Sequence, residues 1–125
     1  MAGEEPQPRR LFGRKMRLKQ ARDFARVRRE GRRLACGGFI ANWQVLPPGS
    51  QTHLGVITAR KLGNAVIRTR ARRLLREVFR LHQHELSQPV DLVLVAQPPL
   101  VGKNMAVVDE MYLGMLRKAK LLKAE

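Results

Sequence analysis

From Ala65 to about Leu86 the apolar residues recur with the step of an α-helix. Ala71, Leu74, Leu75, Val78 and Phe79 occupy positions i, i+3, i+4, i+7 and i+8, which is one helical face. Arg72, Arg73, Arg76 and Arg80 fall on the opposite face. At 1.5 Å per residue the rod spans about 30 Å. One side of it must be buried and the other must meet water or a polyanion, so the rest of the chain has to supply an apolar layer of matching length.

The flanking segments can supply that layer. A helix is expected from about Gln20 to Glu30, with Phe24 and Val27 on one side, Arg22, Arg26 and Arg29 around the rest, and Gly31 as its stop. From Gly38 to Leu46, Phe39, Ala41, Trp43 and Val45 alternate with Ile40, Asn42, Gln44 and Leu46. That is the pattern of a strand with one apolar and one mixed face. Pro47-Pro48-Gly49-Ser50 breaks it, and His53 to Thr58 reads as the return arm of an antiparallel hairpin. After the long helix, Ser87-Gln88-Pro89 precedes a buried strand from Val90 to Ala96. A last helix is expected from about Asn104 to Leu122, burying Val108, Met111, Tyr112, Met115, Leu116 and Ala119. The order is α-β-β-α-β-α, with a further strand if the first is split at Gly37-Gly38. The fold class is α+β, a single α/β sandwich with helices on a small sheet. Residues 14–125 form the expected domain, and residues 1–13, with Pro6 and Pro8, an expected disordered basic tail.

Charge narrows the function. The chain carries 25 Lys and Arg against 10 Asp and Glu, a formal net charge of +15. Of these 25, 12 lie between Arg9 and Arg33 and eight between Arg60 and Arg80, so the charge is patterned. Self-repulsion on this scale calls for a polyanionic partner, and nucleic acid fits because each phosphate neutralised releases a counterion. The lone Cys36 excludes an intramolecular disulfide and argues against a Cys/His zinc site. The longest strongly apolar run, Leu92 to Ala96, is too short for a bilayer, and an N-terminus with early acids, Glu4 and Glu5, and no long apolar stretch is not expected to be a secretory signal. A reducing, cytoplasmic setting is expected.

The chemistry concentrates at the start of the long helix, from Arg60 and Lys61 to Arg73. Gly63 permits a close backbone approach and Asn64 is an N-cap, so the free N–H groups of the first turn face outward and favour an anion. Arginine outnumbers lysine there, and its planar fork suits phosphate. Phe24, beside Arg28, has two readings: a core residue, or an aromatic bordering the strand face of Ile40, Asn42 and Gln44, where an unpaired base could stack. The residues alone favour the core, and Trp43 is core on the same grounds. A nuclease centre is hard to assemble. His82 continues the apolar helical face as a boundary histidine, and Asp23, Glu77, Asp91, Asp109 and Glu110 lack paired-carboxylate spacing. No phosphate-binding glycine loop of the nucleotide-binding kind is present. Alone, the chain reads as a binder.

The run Gly63-Asn64-Ala65-Val66-Ile67-Arg68-Thr69-Arg70-Ala71-Arg72-Arg73-Leu74-Leu75-Arg76-Glu77 resembles the signature of the bacterial ribonuclease P protein family, G-N-A-V-x-R-N-R-x-K-R-x-x-R-E. Thr69 replaces the family's middle Asn, and Arg72 its later Lys. Arg17-Leu18-Lys19, Asp23-Phe24 and Gly31 are similar to the family's first helix. The resemblance implies a left-handed βαβ crossover around the long helix. It also implies a subunit that joins a catalytic RNA to remove 5′ leaders from precursor tRNA, the RNA performing the hydrolysis. Arg60, Lys61, Gly63, Asn64, Arg68, Thr69, Arg70, Arg72, Arg73 and Arg76 would then face the catalytic RNA. Phe24, Arg28, Ile40 and Asn42 would line a cleft for the single-stranded leader. Mg2+ would be required by the holoenzyme and bound mainly by RNA, with none held tightly by the protein and no catalytic residue in the chain. No membrane or DNA partner is expected. Two alternatives remain, an RNA-packaging protein of ribosomal type and a free-standing nuclease.

Overall fold

The computed structural model describes residues 16–18 and 20–123. The whole of the expected N-terminal tail, residues 1–13, therefore lies outside the described residues. The elements are α1 (Ala21–Glu30), β1 (Arg32–Ala35), β2 (Phe39–Val45), β3 (His53–Ile57), α2 (Ala65–His82), β4 (Val90–Ala96) and α3 (Met105–Lys118), with short 3-10 turns at Arg60–Leu62, Gln83–Glu85 and Pro98–Leu100.

The four strands form one mixed sheet in the order β1-β2-β4-β3. β1 and β2 make the true hairpin, turning at Gly37, whose φ is +81°. β2 runs antiparallel to β4, and β3 parallel to β4. The expected hairpin of residues 38–58 is thus corrected: β2 and β3 are not neighbours, because β4 lies between them. The physical reason is in β4 itself. Six of its seven residues, Val90–Leu94 and Ala96, are buried, and a strand apolar on both faces gains most in the centre of a sheet with both faces covered.

Leu54 fixes the hand of the β3–α2–β4 unit. Its side chain belongs to the core beneath α2, and its carbonyl accepts from the Leu18 N–H at 2.9 Å, on the edge away from β4. For an L-residue in a strand running upward with its side chain toward the viewer, N–H and C=O point to the right. Seen from α2, β4 therefore lies to the left of β3. The crossover is left-handed, against the strong general rule.

One face of the sheet carries the core. Phe39, Ala41, Trp43, Leu54, Leu92 and Leu94 pack beneath Ala71, Leu75, Val78 and Phe79 of α2 and Val108, Tyr112, Met115 and Leu116 of α3. Trp43, at 5% exposed, is core as expected, whereas Val45 at the strand end is 48% exposed. α2 stops at His82 rather than Leu86, tightening into a 3-10 turn that lets Leu86 pair with Leu122. α3 stops at Lys118 rather than Leu122. Lys120 turns left-handed (φ 59°), which drops Leu121 into the core.

α1 lies across the other face and buries Val27 fully. Gly31 ends it for a reason other than a left-handed turn: a Cβ there would stand 2.3 Å from the Trp43 carbonyl oxygen.

Candidate nucleic-acid interface

The sheet face beneath α1 is organised in rows set by strand register. At one end, Gln44, Asp91 and His53 align across β2, β4 and β3. Asp91 is 4% exposed and shares its two oxygens: Arg26 of α1 donates to Oδ2 at 2.7 Å, and His53 Nδ1 lies 2.8 Å from Oδ1. Arg26 also donates to Gln44, so this polar row pins α1 to the sheet.

The middle row is Arg33, Asn42, Val93 and Gly55. Here Phe24 rests on bare backbone, since a Cβ at Gly55 would meet its Cε1 at 2.4 Å. Val93 and Asn42 are buried beside it, with Asn42 3% exposed. The third row, Ala35, Ile40, Val95 and Ile57, crosses all four strands, and none of its members is fully buried. Phe24 and Arg28, four residues apart, lie on the side of α1 turned away from Arg26, the side that borders this row. The result is an apolar shelf next to the row that carries the Phe24 ring.

Of the four residues expected in a leader cleft, Ile40 belongs to this row, Phe24 packs over Gly55 in the adjoining row, Asn42 is buried, and Arg28 is exposed on α1. Sequence reasoning missed Ala35, Ile57 and Val95. Their alternation was visible, but without β4 between β2 and β3 they had no common row.

The second surface begins where β3 ends. Arg60 and Lys61 are exposed in the 3-10 turn that leads to α2. Gly63 adopts φ 152°, and a Cβ there would press on Ile67 at 2.8 Å. The Asn64 side chain accepts from the Ile67 N–H at 3.0 Å, the expected N-cap. Arg68 is half-buried, and Arg70 and Arg73 are exposed. A shallow groove along the outer side of α2 is walled by Arg17, Arg70, Arg73 and Arg76 over Leu74 and Met105.

Arg72 sits on the flank of α2 toward the end of β3, a correction to the expected opposite face. Arg72 donates to Thr58 Oγ1 at 2.6 Å and to Thr69 Oγ1 at 3.2 Å. Burial holds the Arg76 guanidinium below the usual arginine range, and the neighbouring cations Arg17 and Arg72 push it the same way. Arg80 differs: Glu77 takes both its Nε, at 2.8 Å, and its Nη2, at 2.7 Å. The hydrogen bond from Arg80 holds the Glu77 carboxyl below its usual range.

The histidines do not form a catalytic pair. His82 lies between Glu85 and Asp109 and stacks on Tyr112, joining α2 to α3. Among the described residues no three His, Cys, Asp or Glu side chains are grouped to hold a metal ion. No helix among the described residues is long and apolar enough to cross a membrane.

An arginine-edged helix on one side of a small α+β sheet and an apolar shelf on the other define an RNA-binding protein. The chain belongs to the ribonuclease P protein family: the family model described as Ribonuclease P matches residues 12–120. It is 31% identical to the ribonuclease P protein component of Dictyoglomus turgidum over 116 residues, covering 90% of this chain and 96% of that one. Its fold superposes on the Staphylococcus aureus RNase P protein with a TM-score of 0.78 at 26% identity, covering 86% of this chain and 98% of the other. The RNase P protein of Thermotoga maritima gives 0.72 at 27% identity, covering 82% and 96%. Family membership makes the chain a subunit of the ribonuclease P endonuclease, acting in tRNA 5′ maturation.

Proposed function

We propose that the chain contacts the catalytic RNA of ribonuclease P through Arg60–Arg76 and holds the single-stranded leader of precursor tRNA against the shelf beneath α1, in a cytoplasmic ribonucleoprotein. The observation that carries this reading is the separation of the two surfaces by chemistry. Arginines that form no ion pair among the described residues suit a folded RNA backbone, whereas a partly exposed aliphatic row suits unpaired bases. Arg28, exposed on α1, would follow the leader's phosphates, and Ile40 would lie under its bases. Asn42, beneath α1, would act by supporting the shelf. Mg2+ belongs to the RNA in this reading, and no step is assigned to a protein-held ion.

The test is cleavage of a precursor tRNA by the cognate catalytic RNA at low Mg2+, with and without the protein. A large rate increase only when both are present is expected. Phe24→Ala should weaken precursor binding and leave mature tRNA binding unchanged. Tight RNA binding with no effect on cleavage would favour an RNA-packaging role instead.

A further inference from the structure

The arginines of this fold divide by what holds them. Arg26 and Arg80 are tied to carboxylates, Asp91 and Glu77, and are largely neutralised in place. Arg72 is held as firmly, but by neutral oxygens: Thr58 Oγ1 at 2.6 Å from one terminal nitrogen and Thr69 Oγ1 at 3.2 Å from the other. The two anchors come from different elements. Thr58 follows the last residue of β3, and Thr69 lies one helical turn before Arg72 on α2. Among the described residues no carboxylate forms an ion pair with Arg72 or Arg76. The guanidinium is therefore fixed in direction with its charge intact. Of its five N–H groups, two are used by the threonines and three remain.

We propose that Thr58 and Thr69 act together to preset Arg72 as a phosphate fork for the catalytic RNA, which makes Thr58 a positioning residue of that interface. The inference rests on the reading of α2 as the RNA-facing surface. A free arginine loses rotamer freedom on binding, at about 0.5–1.5 kcal/mol per immobilised side chain. Two hydroxyl anchors meet that cost in the folded protein and leave the charge uncompensated, as two acids would not. The charge of Arg72 also bears on Arg76 one turn further along α2, and an arriving phosphate would sit between two like charges. The same geometry accounts for Thr69, which stands where the family signature has Asn. Here its hydroxyl serves Arg72, and Thr58 supplies the second acceptor.

The experiment is a binding titration of the full-length protein with the cognate catalytic RNA over a salt series, using Thr58→Val, Thr58→Ser, Arg72→Ala and the double variant Thr58→Val/Arg72→Ala. Thr58→Val should weaken binding about three- to tenfold, the fold-change of that ordering cost. It should leave the slope of log affinity against log salt unchanged, because the charge is still there. Thr58→Ser should restore binding. Arg72→Ala should lower the slope by about one phosphate contact, and Thr58→Val should then add nothing. A Thr58→Val loss of equal size in the Arg72→Ala background would overturn the proposal, since Thr58 would then act through the fold. So would unchanged affinity in Thr58→Val alongside a real loss in Arg72→Ala. If Arg72→Ala changes neither affinity nor slope, the RNA-facing reading of α2 fails first and takes the inference with it.

Discussion

Gly55→Ala tests the packing beneath α1 and the use of that face in one substitution. The new Cβ would lie 2.4 Å from Phe24 Cε1, 2.8 Å from Cζ and 3.2 Å from Cδ1. Ordinary contact starts at 3.4 Å, so the ring edge has to retreat by 3.4 − 2.4, about 1 Å. Added volume in a packed site costs about 1–3 kcal/mol. Phe24 is half-buried and can lift toward solvent, which places the cost near the lower end, about 1 kcal/mol. In a domain of this size that lowers Tm by about 4 °C. A base stacked on an aromatic ring is worth about 1–3 kcal/mol. A ring lifted off its seat should forfeit part of this, about fivefold in affinity. The assay compares binding of precursor and mature tRNA to the reconstituted holoenzyme, beside a thermal melt of the protein. Precursor affinity should fall about fivefold with mature tRNA unchanged, and adding Phe24→Leu should recover the Tm but not the discrimination. An unchanged Tm would refute the packing argument. A lowered Tm with unchanged discrimination would keep the packing and refute the leader-binding role of Phe24.

Three further outcomes follow from other parts of the fold. Asn64→Ala removes the cap that accepts from Ile67 and should cost about 1 kcal/mol of stability, read from the urea midpoint. Asp91→Ala strands Arg26 and His53, whose side chains are 31% and 32% exposed and can turn to water. The loss should therefore be about 2 kcal/mol, below that of a fully buried pair, and proteolysis should accelerate within α1. For His82, burial lowers the imidazolium pKa, but hydrogen bonds to Glu85 and Asp109 outweigh it and the net shift is upward from 6.5. A raised folded pKa gives a contribution fully present below about pH 6.5 that is lost as pH rises through the folded value. Chemical-denaturation midpoints should fall over that interval, and His82→Gln should flatten the dependence.

Much of the fold was legible because periodicity reports which face of an element is buried. The core side of α2, Val27 on α1 and the inward alternation of Phe39, Ala41 and Trp43 all follow from it. Periodicity does not report neighbours. Pro47-Pro48-Gly49-Ser50 between two strands looks like a hairpin loop, yet it carries the chain past the end of β4. The unbroken apolar run of β4 was the available sign of a central strand. The exposure of Arg70 and Arg73 was readable from the helical spacing, whereas the turn of Arg72 toward Thr58 was not. Phe24 was not, since its ring is exposed or buried according to whether glycine lies beneath it, and only strand order places Gly55 there. The Arg72 anchor was hidden for a similar reason: Thr58 meets α2 only after the left-handed crossover brings the helix back over β3.

The position of β4 in the sheet also bears on how the chain acquires its structure. The central strand is the last of the four in sequence. Until residues 90–96 exist, β1 and β2 can pair, while β3 has among the described residues no sheet partner but the segment around Arg17. His53 finds Asp91 across 38 residues, a separation that slows folding because the loop must close before its contacts repay it. During synthesis the cationic α2 is therefore completed before the surface that buries its apolar side. For that interval it is an amphipathic polycation whose sheet still lacks its central strand, and a nearby anionic polymer can engage it before its core is complete.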